Sequence, residues 1–444
     1  MFRKFSAIGV ASAAALLFTA VASPAATAGA TATAATVGTP ITDISHACSG
    51  QNAEVEQATW RNFAYEAWMG CNNSIGFSRS ADKGRTWTAP VVMAGSAGGS
   101  WDPAVSVSTD GVLYVSFMNS DSTHTFPVVD TSFNHGRTFS QQATLTPPDQ
   151  NNWGDRDFTA AGAHGVVYLT WDYGPSASLV TDICTPGGSC AFATGDLNVV
   201  VQKSTDYGRT WGPIVHVSPG FPASGGDSAP MVVEPDGRVD LAYQGYNIYN
   251  LKTYAMNPAN MYFTSSADGG RTWSPPVQVG ASVGTMSLAE WWIDGAIGAD
   301  AAGNLYITWD TQGVSDDVGW VSYSTNHGAN WSAPVRVTPD NDNATHIVEV
   351  AGGSAPGVAY VGWLADNAPG GYAEYLRTFS ITRGWLTSPR RVSVRYGNAS
   401  IWPGDTFGIS TWPGSKRQLM LSWGGAVGGS PNSEIFAASV PVSG

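Results

Sequence analysis

Seven carboxylates stand at matching places in seven similar stretches of the chain: Glu54, Asp102, Asp157, Asp227, Asp294, Glu349 and Asp405. Each opens an apolar segment, which is followed by a turn and a second segment rich in aromatic residues. Asp102-Pro-Ala-Val-Ser-Val, for example, precedes Tyr114-Val-Ser-Phe117. Gathered at one point, such groups could do general acid and general base work, because crowded like charges push some carboxyl pKa values up and leave others ionised. The competing reading is that a group recurring once per repeat serves the repeat, by bonding to the backbone of the neighbouring unit. Two places break the regularity. Asp155-Arg156-Asp157 sets a cation between two acids, and Trp101-Asp102 puts an indole beside one. Asp102 or Asp157 is therefore the expected acid/base, with Arg156 as an orienting charge.

Aromatic faces stack on sugar rings, and nearby carboxylates and amides bond to hydroxyls. Trp101, Trp153, Asp155, Tyr246, Tyr249, Trp291, Trp292 and Trp402 all fall in or beside long connecting segments, and together they compose an oligosaccharide cleft. The alternative for some of the tryptophans is packing between repeats. Other chemistry has little support. The histidines form no ligand pair, so no metal centre is expected, although Asp316-Asp317 and Asp340-Asn341-Asp342-Asn343 offer oxygen ligands for a structural Ca²⁺. No Ser-His-Asp order, phosphate loop or dinucleotide fingerprint occurs, so no cofactor is expected. The net charge is −13, and lysine is scarce. That balance argues against nucleic acid or an anionic membrane as partner. The expectation is a monomer acting on an oligosaccharide or polysaccharide.

These residues need elements to position them, and a repeat supplies the elements. One turn recurs as Ser80-Ala-Asp82-Lys-Gly84-Arg-Thr-Trp87, then as Ser132 to Phe139, Ser204 to Trp211, Ser266 to Trp273 and Ser324 to Trp331. A remnant from Ser380 to Trp385 keeps the tryptophan and lacks the acid. The Asp or Asn side chain accepts hydrogen bonds from its own turn, and the glycine supplies a positive φ. These turns are identified as Asp-boxes, and through them the chain resembles the sialidase-like (BNR-repeat) superfamily of β-propellers over nearly all of its mature length. The resemblance implies an all-β propeller of four-stranded antiparallel blades, and by itself it implies no particular activity. Seven hairpins, one behind each carboxylate, count seven blades; six is the alternative, because sialidases resemble six-bladed rings. The last repeat runs out at Glu434 to Val440, so Pro40 to Ser45 is expected to add its missing outer strand and close the ring.

In an up-and-down blade the Asp-box turns share a face with the short turns between first and second strands. The long connections lie on the other face, with the seven carboxylates at the mouth of the central channel. Resemblance to sialidases further implies an Arg-Ile-Pro and two more arginines to grip a substrate carboxylate. This chain has no Arg-Ile-Pro; Arg61 and the arginines of the turns fall on the opposite face, leaving Arg156 and Arg395. The functional expectation is a glycoside hydrolase or lyase working at the channel mouth. The alternatives are a lectin-like or protein-binding propeller and a diverged exo-sialidase.

The N-terminus speaks for export. Arg3 and Lys4 precede an apolar run and small residues, as in a signal peptide over residues 1–28, followed by a flexible lead-in to residue 38 and the propeller from 39 to 444. Two disulfides suit that destination, Cys48 with Cys71 and Cys184 with Cys190; zinc ligation is the alternative, without a C-x-x-C to support it.

Overall fold

The computed structural model describes residues 40–442 except 97–98, 151, 175–179, 185–189, 195–197, 219–229, 246–247, 251–254, 257–259, 280–294, 312–317, 340–344, 369–370 and 399. Only the backbone is described at 153, 180–184, 190–194, 248–250, 255–256, 295, 311, 345–346 and 366–368. Every helix-or-strand element among these residues is a strand. The strands form seven antiparallel meanders, and the expected seven-bladed β-propeller is what the chain adopts.

Blade 1 runs Ala53–Trp60, Phe63–Cys71, Ser74–Ser80 and Val91–Val92. Blade 2 begins at Trp101–Val107, blade 3 at Trp153–Ala161, blade 4 at Met231–Val233, blade 5 at Gly295–Ala299, blade 6 at Thr345–Gly352 and blade 7 at Gly408–Thr411. These first strands touch one another in sequence, and the circle closes between blades 7 and 1, so they line the central channel. Second strands are covered on both faces and read as continuous apolar runs; Val167–Gly174 is buried throughout. Most carry a large wedge, Trp68, Trp171, Trp309 and Trp363 among them, that is 2 % exposed or less. The wedges join the core between blades: Tyr114 of blade 2 packs in one cluster with Trp171 of blade 3.

The repeated turns explain how adjacent blades seat. Asp82 Oδ1 accepts the backbone N–H groups of Arg85 at 3.1 Å and Thr86 at 2.9 Å, and Ser80 Oγ accepts that of Gly84 at 2.9 Å. The same scheme recurs at Asn134, Asp206, Asp268 and Asn326. Gly328 shows why the fifth position excludes a side chain. Its φ is +78°, and a Cβ would lie 1.9 Å from the Phe263 ring of the preceding blade. These turns also meet the first hairpin turns, as in the 2.9 Å bond from Tyr207 N–H to the Gly165 carbonyl, so the two sets share a face as expected.

Closure follows the expected route. Thr42 and Asp43 pair with Ala437 and Phe436, making the N-terminal segment the outer strand of blade 7. Cys48 and Cys71 are disulfide-bonded with Cα atoms 4.7 Å apart, tying that segment to blade 1. Cys184 and Cys190 face each other in the backbone ladder of a hairpin inserted in blade 3, but their side chains lie outside those described. Residues 1–39, with the expected signal peptide and lead-in, are also outside.

Candidate functional site at the channel mouth

The innermost strands do not begin as the seven-carboxylate alignment expects. Four of them carry a bulge at the channel mouth, where one or two residues have no partner on the second strand. The breaks lie between Ala53 and Val55, Trp101 and Ala104, Asp155 and Phe158, and His346 and Val348. At each bulge one residue has a left-handed backbone: Glu54 (φ 50°), Asp102 (46°), Arg156 (51°) and Ile347 (55°). Thus the residue equivalent to Glu54 and Asp102 is Arg156 in blade 3 and Ile347 in blade 6, rather than Asp157 and Glu349. Asp405 precedes the first strand of blade 7, and Asp227 and Asp294 lie outside the described residues. The regular acidic ring is replaced by an irregular cluster. Bulges of this kind bend a strand and re-aim its side chains, and four left-handed non-glycine residues at equivalent places are a costly arrangement for any fold to hold.

The cluster draws on four blades. Arg156 donates its backbone N–H to Asp102 Oδ2 at 3.1 Å and its Nη2 to Asp405 Oδ2 at 2.8 Å. Blades 1 and 2 separate blade 3 from blade 7, so this side chain spans the channel mouth. Asp405 Oδ1 accepts the indole N–H of Trp402 at 2.8 Å, and Asp155 Oδ1 accepts that of Trp101 at 2.6 Å. Gly404 brings the Asp405 loop onto blade 1. Its φ is +114°, and a Cβ would fall 2.1 Å from the backbone nitrogen of Glu54.

Burial sorts these side chains. Arg156 and Asp157 are 3 % and 2 % exposed, and Glu54 is 4 % exposed. Asp102, Asp155, Asp405 and Trp101 are half-buried, while Trp402 is 41 % exposed. Burial holds the Glu54 carboxyl well above the usual carboxylate range; negative Asp102 and Asp405 push it further, and Arg156 opposes them. Asp157 is likewise held up by burial, with Asp102 adding to the rise. The mouth therefore places protonated carboxyl groups behind others that face the channel. Two residues further along the same strand, burial pushes the half-buried Glu56 up to about 8, with buried Glu66 adding to it.

Of the expected site residues, the structure brings together Asp102, Arg156, Asp157, Trp101, Asp155 and Trp402. Trp153 is described only as backbone at the start of blade 3, and Tyr249 only as backbone in a short insertion of blade 4. Tyr246, Trp291, Trp292 and the acidic loops at 316–317 and 340–343 lie outside the described residues. No group of three His, Cys, Asp or Glu side chains among the described residues has metal-holding geometry.

Sequence reasoning missed several buried carboxyl groups on second and third strands: Glu66, Asp130, Asp240 and Glu374. Their signal was an acid inside an apolar run, as in Val128-Val129-Asp130 and Val239-Asp240-Leu241. It also missed the pair of Tyr173, whose hydroxyl donates to Asp149 Oδ2 on the same face.

No protein-family model matches the chain, and no curated protein matches it by sequence. Solved structures do match. An ulvan lyase of polysaccharide lyase family PL25 superposes with a TM-score of 0.54 at 11 % identity, over 89 % of this chain and 97 % of that one. The polysaccharide lyase Uly1 gives 0.53 at 10 % identity, over 87 % and 90 %. The GH93 α-L-arabinofuranosidase of Fusarium graminearum gives 0.50 at 12 % identity, over 88 % and 93 %. At these identities the likeness is one of fold.

Proposed function

We propose that this protein is an exported, glycan-active propeller that hydrolyses glycosidic bonds at its channel mouth. The observation carrying the proposal is the pairing of protonated, buried Glu54 with half-buried Asp102 beside two tryptophans tethered by carboxylates. Glu54, the protonated member of the pair, gives up its proton, which passes through Asp102 to the leaving-group oxygen as the glycosidic bond breaks. Water adds to the anomeric carbon, and its proton returns to the pair. Asp405 presents negative charge to the developing oxocarbenium ion. One arginine reaches both carboxylates, its backbone N–H on Asp102 and its guanidinium on Asp405. Buried Arg156 and Asp157 are positioning groups, and Trp101 and Trp402 are sugar platforms.

Several lines support this reading. Neighbours of the same fold include two polysaccharide lyases and an arabinofuranosidase. The Ser-x-Asp/Asn-x-Gly turns support membership of the Asp-box superfamily. The Cys48–Cys71 disulfide and the signal-like N-terminus support export.

A second reading, a lectin-like propeller without chemistry, is favoured by the burial of Arg156. Long incubation of the full chain with a panel of polysaccharides, followed by analysis for reducing ends and unsaturated products, separates the two. Hydrolysis predicts new reducing ends that disappear in Asp102→Asn, which should fold and melt like the parent. Binding with no product selects the lectin, and unsaturated ends select a lyase.

A further inference from the structure

The proposed glycan site has an uneven charge. Asp102, Asp155 and Asp405 converge on the mouth in front of buried Glu54 and Asp157, and the described cation among them, Arg156, has a side chain only 4 % exposed and engaged with Asp405. A uronate or sialate polymer needs an accessible cation to receive its carboxylate; here that cation is covered and its partner is already in place. The same cluster also holds a buried polar atom without a partner. Glu54 is nearly buried, and its Oε2 accepts no hydrogen bond although it stands in the middle of the cluster. The most exposed platform, Trp402, donates its indole N–H to Asp405, which leaves the ring richer in electron density and its face more attractive to a cation.

We infer that the mouth takes a saccharide bearing a free ammonium group, an amino sugar, in preference to a uronate-containing or sialylated glycan. This rests on the reading of the mouth as a glycan site and adds the substrate class. The ammonium would stack on Trp402 between Asp405 and Asp102. Its charge would also relieve the repulsion by Asp102 and Asp405 that adds to burial in keeping the proton on Glu54, so binding would release a proton to solvent.

The experiment is calorimetric titration of the full chain, in buffers of different ionisation enthalpy, with three hexasaccharides: glucosamine, N-acetylglucosamine and galacturonate. The free amine should bind roughly tenfold tighter than its acetylated counterpart, the scale of one good cation–π contact with a carboxylate beside it. The gap should shrink at high salt, and proton release should accompany the amine alone. Trp402→Ala should lose most of the gap and Trp402→Phe should keep part of it, with circular dichroism and melting establishing that both fold. Equal binding of the acetylated sugar removes the charge inference and leaves the glycan site standing. Tighter binding of galacturonate overturns the inference outright, and silence from all three overturns it together with the glycan site.

Discussion

At the scale of the residue, burial separates Asp102, Asp157 and Arg156, which sequence reasoning grouped as one catalytic set. Asp157 is held protonated by burial, so an amide of the same shape should replace it at little cost. Asp157→Asn is expected to change stability by less than about 1 kcal/mol at neutral pH and to keep most activity. Loss of turnover in a stable Asp157→Asn protein would return it to the chemistry. Arg156 is the opposite case. Arg156→Met leaves Asp405, Asp102 and Glu54 crowded without a counter-charge and should cost about 3 kcal/mol, the scale for breaking a buried ion pair. Arg156→Lys should not restore it, since one ammonium on a different stem cannot copy the guanidinium contact. Chemical denaturation of both variants checks this.

At the scale of the element, the decisive feature is the bulge. Strand alternation is readable because side chains alternate in and out with period two. A bulge adds residues without a compositional signature, so a carboxylate could be aligned by type while its true register slipped, by one residue at Asp157 and by two at Glu349. That is how Asp157 came to stand in for Arg156. The loop before blade 7 is equally hidden in the sequence, because Gly404 looks like any turn glycine until Glu54 is found against it. Gly404→Ala is expected to push Asp405 away from Arg156 and to lower activity more than stability. Unchanged kcat in a protein that folds normally would show that the Asp405 contact is dispensable.

At the scale of the molecule, buried acids set a pH dependence. Asp130 is pushed up to about 7 by burial, against a hydrogen bond from Gln142, and Asp240 is pushed up to about 9 by burial and by Glu234. In each the folded state holds its proton where the unfolded chain has released it. Their stabilising contribution is full below the unfolded pKa, near 4, and is lost as pH rises through the folded value. The melting temperature should therefore fall from about pH 5 to about pH 9 through these groups. Asp130→Asn should flatten its share of the fall below pH 7, keeping the Gln142 bond to its oxygen. Parallel melting curves for parent and variant would count against Asp130 as a contributor.

The sequence by itself determined the repeat, and with it the strand order, the seven blades, the face that carries the long connections, the Thr42–Asp43 closure and the Cys48–Cys71 tie. All of these follow from local rules repeated often enough to be read, such as hydrophobic alternation, turn chemistry and the placing of glycine. Only the tertiary structure decided what meets at the mouth. Glu54, Asp102, Arg156 and Asp405 come from four blades and are more than 40 residues apart along the chain in each successive step. Their contact depends on bulge register, on the approach of one glycine loop and on ring closure, and none of these has a signal within any single repeat. Burial, which makes Glu54 a proton donor and Arg156 a brace, is likewise a property of the closed ring.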